Sequence, residues 1–176
     1  MNHPDEYKIA FTGLIQGEHQ FRFEVGDAFF AEEEDAEILG AKVDVEVTLL
    51  REERMMDLHF GIRGRVKVDC DRCNEPMEVE LEGTERLIIK LGERYYEESE
   101  DVQIIPESAH QVDLAPFLYE YIHLLLPARR VHPDDGQEGN RCNPDVLKKL
   151  EELHVHPAGD PRWDALKQLK DKNKDN

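Results

Sequence analysis

Two runs of strict alternation, joined by a charged turn, constrain what this chain can fold into more than any other feature. Val43, Val45, Val47 and Leu49 alternate with Lys42, Asp44, Glu46 and Thr48. After Arg51-Glu52-Glu53-Arg54, Met56, Leu58, Phe60 and Ile62 share one face, with Asp57, His59 and Arg63 on the other. Period two with a single apolar face predicts half-buried antiparallel strands. The second run leads towards Cys70-Asp71-Arg72-Cys73, beyond which Met77, Val79 and Leu81 alternate with Glu78, Glu80 and Glu82. A second hairpin is therefore expected, with a CxxC turn at its tip. Two thiolates so spaced can both address one tetrahedral metal ion at about 2.3 Å, as in a zinc knuckle. Two ligands do not close such a site.

Along the rest of the chain, Tyr7/Ile9/Phe11 and Phe21/Phe23/Val25, with Gly13 and Gly17 between them, predict a hairpin. Phe29 and Phe30 precede the charge run 31–35, which reads as a solvated loop. Leu87, Ile89 and Leu91 suggest one more strand, ended by Gly92. The acidic stretch 93–101 reads as a loop, and Val102-Gln103-Ile104-Ile105 is ambiguous before Pro106. The period then changes. From Asp113, a good N-cap, Leu114, Leu118, Tyr121/Ile122 and Leu125 recur at helical spacing until Pro127. Asn143-Pro144 and Asp160-Pro161 each pair a capping side chain with proline at the first helical position. Those two short helices carry Val146, Leu147, Leu150 and Leu153, then Trp163, Leu166 and Leu169. The expected fold is α+β: an antiparallel sheet of about six strands, open or barrel-like, packed by one long helix and two short C-terminal ones. Residues 1–157 would form the domain and 158–176 a basic terminal helix and tail.

With 176 residues the chain can bury a core without disulfides. Three cysteines, two of them in a CxxC, and no secretory-type N-terminus point to a reducing cytoplasm. No apolar run approaches the roughly 20 residues that span a bilayer, so no membrane partner is expected. The net charge of −18 limits partners further. Binding of nucleic acid draws on Lys and Arg to neutralise phosphate, whereas this surface attracts basic proteins. From Pro161 onwards five basic side chains face three acidic ones, so that segment alone invites RNA.

Cys142 stands just before Asn143, and His132 lies in the loop that precedes it. If the helix after Asp113 packs on the sheet, the chain leaving it at Pro127 returns past the CxxC tip. Cys70, Cys73, Cys142 and His132 then form a Cys3His zinc site of thiolates and a neutral imidazole. His123, His154 and His156 compete for the fourth place, and the plainer alternative is three small thiols and a solvated histidine. Full ligation would make the zinc structural. Thiol–disulfide exchange by Cys70 and Cys73 is the rival chemistry, although it favours a CxxC at a helix N-terminus, and Asp71 would raise the first thiol's pKa. No nucleophile–base set, phosphate-cradling loop or carboxylate pair stands out, so the chain reads as non-catalytic. Trp163 either packs in the core or, with Arg162, Lys167 and Lys170, docks a partner or RNA surface.

Several of these pieces together resemble the bacterial YceD family: Cys70-Asp71-Arg72-Cys73, Val112-Asp113-Leu114 leading to Leu125-Leu126-Pro127, Val131-His132, Cys142, and the segment from Pro161 to Lys170. The resemblance covers nearly the whole chain. It implies a ribosome assembly factor needed for accumulation of large-subunit ribosomal RNA, often encoded beside a large-subunit ribosomal protein. The partners it implies are a ribosomal protein, an assembly factor, or ribosomal RNA touched through the terminal helix. Many relatives carry further cysteines where this chain has His132, Asp134, Asp135 and Gly136. A thiol-redox protein and a direct RNA-binding module are the alternatives.

Overall fold

The computed structural model describes residues 5–31, 37–133 and 142–153. In chain order they form β1 (Lys8–Ala10), β2 (Gly17–Gly26), α1 (Asp27–Phe30), β3 (Ile38–Arg51), β4 (Met55–Asp69), β5 (Pro76–Gly92), β6 (Tyr96–Ser99), β7 (Val102–Pro106), β8 (Gln111–Asp113), α2 (Ala115–Leu124) and α3 (Pro144–Leu153). The main sheet has the order β2-β3-β4-β5-β7-β6 and is open, with β2 and β6 at its edges; β1 and β8 make a separate two-stranded ribbon. The class is α+β, as the alternation predicts. The barrel alternative does not hold.

The β3–β4 and β4–β5 hairpins place the even-numbered apolar residues of β4 opposite apolar residues of a neighbouring strand: Val45↔Ile62, Val47↔Phe60, Leu58↔Leu87 and Val66↔Val79 are in register. One-residue slippage would turn this whole set to solvent, so burial itself fixes the register. The face so formed is covered by Tyr7, Ile9 and Phe11, by Phe29 and Phe30 of α1, by Val112, and by Leu118, Tyr121 and Ile122 of α2, all in one core. On the opposite face, cross-strand ion pairs join Arg22 to Glu46 (2.9 Å) and Arg63 to Glu82 (2.6 Å), while Arg86 forks onto Asp57 (2.9 and 2.7 Å). Of the outward basic residues of β4, Arg63 is thereby paired with Glu82, and Arg65 stands 3.7 Å from both Glu78 and Glu80 of β5.

Four expectations are corrected. The β1 segment does not form a hairpin with β2: it pairs with β8, Ile9 opposite Val112, while β2 runs along β3. The loop between β1 and β2 is too long to impose a hairpin register, and Leu14 N–H closes only a local turn on Phe11 O (3.1 Å). Leu87, Ile89 and Leu91 do not start a new strand but continue β5, whose core face is interrupted by Gly83 and Glu85. Leu125 fills the space beside Gly83, where a Cβ would overlap the end of its side chain. The acidic stretch 93–101 contains β6, antiparallel to β7, and β7 runs parallel to β5. Finally, the helix is not long. Asp113 ends β8, and its carboxylate accepts the Ala115 N–H (3.0 Å), so α2 has ten residues. The second short helix, and with it the boundary at 158, lies outside the described residues.

Gly64 occupies a core-facing position of β4 where the β3 backbone comes close. A Cβ there would overlap the Lys42 carbonyl oxygen and stand 2.6 Å from Val43 Cα. Backbone cannot step aside as a side-chain end can. Gly64→Ala is therefore expected to destabilise the fold by about 3 kcal/mol, read as a lower urea midpoint with an unchanged slope. An unaltered midpoint would contradict the close approach.

Candidate metal centre

The long β4–β5 hairpin runs past the end of the main core, and its tip carries the CxxC. Cys70 N–H donates to Glu75 O (3.0 Å) and Asn74 N–H to Cys70 O (2.8 Å), closing a turn in which Asn74 takes a left-handed conformation (φ 57°). Asparagine tolerates that region better than most residues. Such a turn aims both cysteine side chains to the same side.

The chain that leaves α2 does return past this tip. Asp71 N–H donates to Arg130 O (2.7 Å), and the Asp71 carboxylate accepts from Arg130 N–H (2.6 Å), a reciprocal clamp two residues before His132. The Arg130 guanidinium also pairs with Glu37, and Arg72 donates to His132 O (3.3 Å). On the far side, the Asn143 side-chain oxygen caps α3 through Asp145 N–H (2.9 Å), as its sequence position predicts. The Asn143 amide donates to Glu75 (2.7 Å), tying α3 to the hairpin turn.

These ties bring Cys70, Cys73, His132 and Cys142 together, all buried, with their four potential ligand atoms within 4.8 Å of one another. Cys70 Sγ is 3.7 Å from Cys142 Sγ; His132 Nδ1 is 3.5 Å from Cys73 Sγ and 3.7 Å from Cys142 Sγ. A tetrahedral zinc ion with ordinary bond lengths sets its sulfurs about 3.8 Å apart and sulfur from nitrogen about 3.6 Å apart. The donor set and these separations fit such an ion, and the buried Cys3His cluster could hold one. Met77, Val131, Val146 and Leu147 pack round it, forming a small core separate from that of the sheet.

Burial opposes ionisation of Cys70, but the N–H groups of Arg72, Cys73 and His132, with the Cys73 thiol, outweigh it and bring its pKa down to about 6. Asp71, expected to raise that pKa, is turned to Arg130 instead. Burial, followed by hydrogen bonding and charge from Cys70 and Cys73, pushes Cys142 up to about 11.

His123 is excluded from the cluster: it sits on α2, its Nδ1 bonded to Tyr119 O (2.8 Å) and its ring against Tyr119 and Phe30. His154, His156, Arg162, Trp163, Lys167 and Lys170 lie outside the described residues. The clamp residues Asp71, Arg130 and Glu37 were not predicted. The charged pair inside Cys70-Asp71-Arg72-Cys73 was the available signal.

An α+β protein with one open, mostly antiparallel sheet and a buried Cys3His cluster at a hairpin tip is the class that fold and site define. A family model described as "Large ribosomal RNA subunit accumulation protein YceD" matches residues 58–170, and the chain belongs to that family. The matched span begins within β4 and contains all four cluster residues. Searches of curated proteins and of solved structures returned no match. The family description gives a role in accumulation of large-subunit ribosomal RNA and names no reaction. Among the described residues no helix is long and apolar enough to cross a membrane.

Proposed function

We propose that this protein is a non-catalytic, cytoplasmic ribosome assembly factor supporting accumulation of large-subunit ribosomal RNA, with a structural zinc ion held by Cys70, Cys73, His132 and Cys142. The observation that carries the zinc reading is the closure of three sulfurs and one imidazole nitrogen around a single buried point. Soft thiolate-rich sets select zinc among common divalent ions, and four protein ligands leave no position for a substrate. The ion supplies cross-linking free energy, and the chain's own residues do the rest: the Asp71–Arg130 clamp and the Asn143–Glu75 bond orient the ligand-bearing segments. Burial of all three thiols argues against the redox alternative, because an exchanging thiol must reach a disulfide.

The activity then lies on the surfaces that this clasp holds in place. The net charge of −18 favours a basic ribosomal protein or assembly partner. Residues 158–176, the basic segment with Arg162, Trp163, Lys167 and Lys170, are assigned a contact with the partner or with RNA. Depleting the protein from growing cells should lower mature large-subunit RNA relative to small-subunit RNA and deplete large subunits in a sucrose gradient. Unchanged subunit ratios would remove the proposal. Rescue by a chain lacking residues 161–176 would count against the terminal segment as the essential contact.

Asp71 offers a test of the clasp that leaves every ligand in place. Asp71→Ala removes the acceptor for Arg130 N–H and frees the segment that carries His132. Metal affinity, measured by competition with a chromogenic chelator, should fall about 10- to 100-fold, the usual effect of losing an outer-shell partner. Asp71→Asn keeps an acceptor oxygen and should lose less. Wild-type affinity in Asp71→Ala would show that the clamp does not position the ligand.

A further inference from the structure

The two edges of the main sheet are built differently. β6 has four residues and a register shift against β7, both of which blunt an edge. β2 has ten, pairs with β3 from Gly17↔Arg51 to Gly26↔Lys42 without a shift, and contains no proline and no lysine. The Glu24 carbonyl accepts a hydrogen bond from Tyr7 Oη (3.1 Å) and so points away from β3. In an antiparallel pair, alternate residues turn both N–H and C=O to the same side. Glu18, Gln20 and Arg22 therefore present their backbone groups outward from the sheet, where no neighbouring strand among the described residues takes them up. Among the described residues Tyr7 covers the Glu24 end, and no strand pairs with the edge from Gly17 to Arg22.

The surroundings of this edge are acidic. The groove beside β2 on the outer face of the sheet is lined by the carboxylates of Glu6, Glu24, Asp44, Glu46 and Glu82. Only two guanidiniums, Arg22 and Arg63, line it as well, and both are engaged, with Glu46 and Glu82. Three carboxylates are in excess. On the inner side, the half-buried Phe21 packs against the edge of the core. A strand added here would alternate side chains between an acidic outer face and an apolar inner one.

The geometry points to β2, from Gly17 to Arg22, as a docking edge that takes an extended segment of a basic partner protein as an additional strand. Its lysines or arginines face Glu18 and, past the Arg22–Glu46 pair, reach towards Glu24 and Asp44, and its apolar residues face Phe21. Main-chain hydrogen bonds supply the attachment and the alternating side chains supply the selection. A second copy of this chain pairing antiparallel about Gln20 would set Glu18 opposite Arg22, and it is the competing occupant that the test separates. The inference deepens the reading of the chain as a factor that binds a basic partner, and rests on it for the partner's origin.

The test uses the full-length protein and a capped peptide of about eight residues, a strand's length, alternating lysine and valine. A glutamate–valine peptide serves as control. The lysine peptide should bind, more weakly as salt rises, and should slow amide exchange at Glu18, Gln20 and Arg22; the glutamate peptide should not. Gln20→Pro removes an outward donor without touching the β2–β3 ladder and should weaken binding by about tenfold. Should that variant fail to fold, the charge reversal Glu18→Lys with Glu24→Lys decides, with the preference between the two peptides expected to invert. Equal binding of both peptides, protection at β6 instead of β2, or protection of β2 by self-association without peptide would each overturn the assignment. If the lysine peptide fails to bind while depletion still lowers large-subunit RNA, the docking edge falls and the assembly-factor reading stands.

Discussion

Stripping the metal with a strong chelator, or replacing one ligand by Cys70→Ser, should release the hairpin tip, the segment 127–133 and α3 while leaving the sheet folded. Zinc bound by four such ligands contributes on the order of 10 kcal/mol to the folding of the region it staples. Nothing of similar size replaces it here: α3 has no buried residue of its own, and Leu150 and Leu153 are exposed. The small core of Cys70, Cys73 and Cys142 with Met77, Val131, Val146 and Leu147 is separate from the large one. The two should therefore come apart in two steps rather than one. Native mass spectrometry should find one zinc per chain. Hydrogen exchange should show protection lost at 70–75, 127–133 and 142–153 after chelation, with β3 and the middle of β4 unchanged. Cys70→Ser and Cys142→Ser should each lose most of the effect, and the double variant little more, because ligands of one ion act as a unit. A chain purified without metal and indifferent to chelator would remove the staple.

The parts of the fold that were legible in the sequence are those where one residue pattern serves one environment. Val43 to Leu49 and Met56 to Ile62 face a core on one side and water on the other, so their period declares both strand and register. The members of the Cys3His cluster were legible too, since cysteine and histidine in loops have few other uses. What escaped depends on distant chain. Three residues of β1 cannot reveal that their partner is β8, about 100 residues on. Gly83 looks like a break in β5 until Leu125 is seen occupying its missing side chain, and Asp113 looks like the start of a helix although it ends a strand and the N-cap position falls to Leu114. The tyrosines and glutamates of 93–99 read as loop because an edge strand buries nothing: β6 is exposed along its whole length. The contact of Asp71 with Arg130 was not legible because the two lie 59 residues apart.

Phe60→Ala should cost about 4 kcal/mol, the usual range for emptying an aromatic site in a core, and should be felt at the metal cluster as well. Phe60 stands in the middle of β4, 1% exposed, with its ring edge-on to Tyr121 of α2 at 5.2 Å and 69°. Leu118 and Ile122 complete the same face of α2, both fully buried. The helix is held to the sheet by these side chains, and the backbone bond from Leu114 N–H to Tyr7 O (2.9 Å) fixes only its start. A cavity under Tyr121 thus loosens α2 along its length. Its far end leads through Leu125, which packs against Gly83, to Arg130 and His132. Urea unfolding should show the loss in stability, and transfer of zinc to a chromogenic chelator should become faster at urea concentrations well below the midpoint. Phe60→Leu, which keeps most of the volume, should cost about 1 kcal/mol and leave the transfer rate near wild type. If Phe60→Ala lost its stability with zinc transfer unchanged, the Asp71–Arg130 clamp would be sufficient to hold the fourth ligand, and α2 would serve the sheet alone.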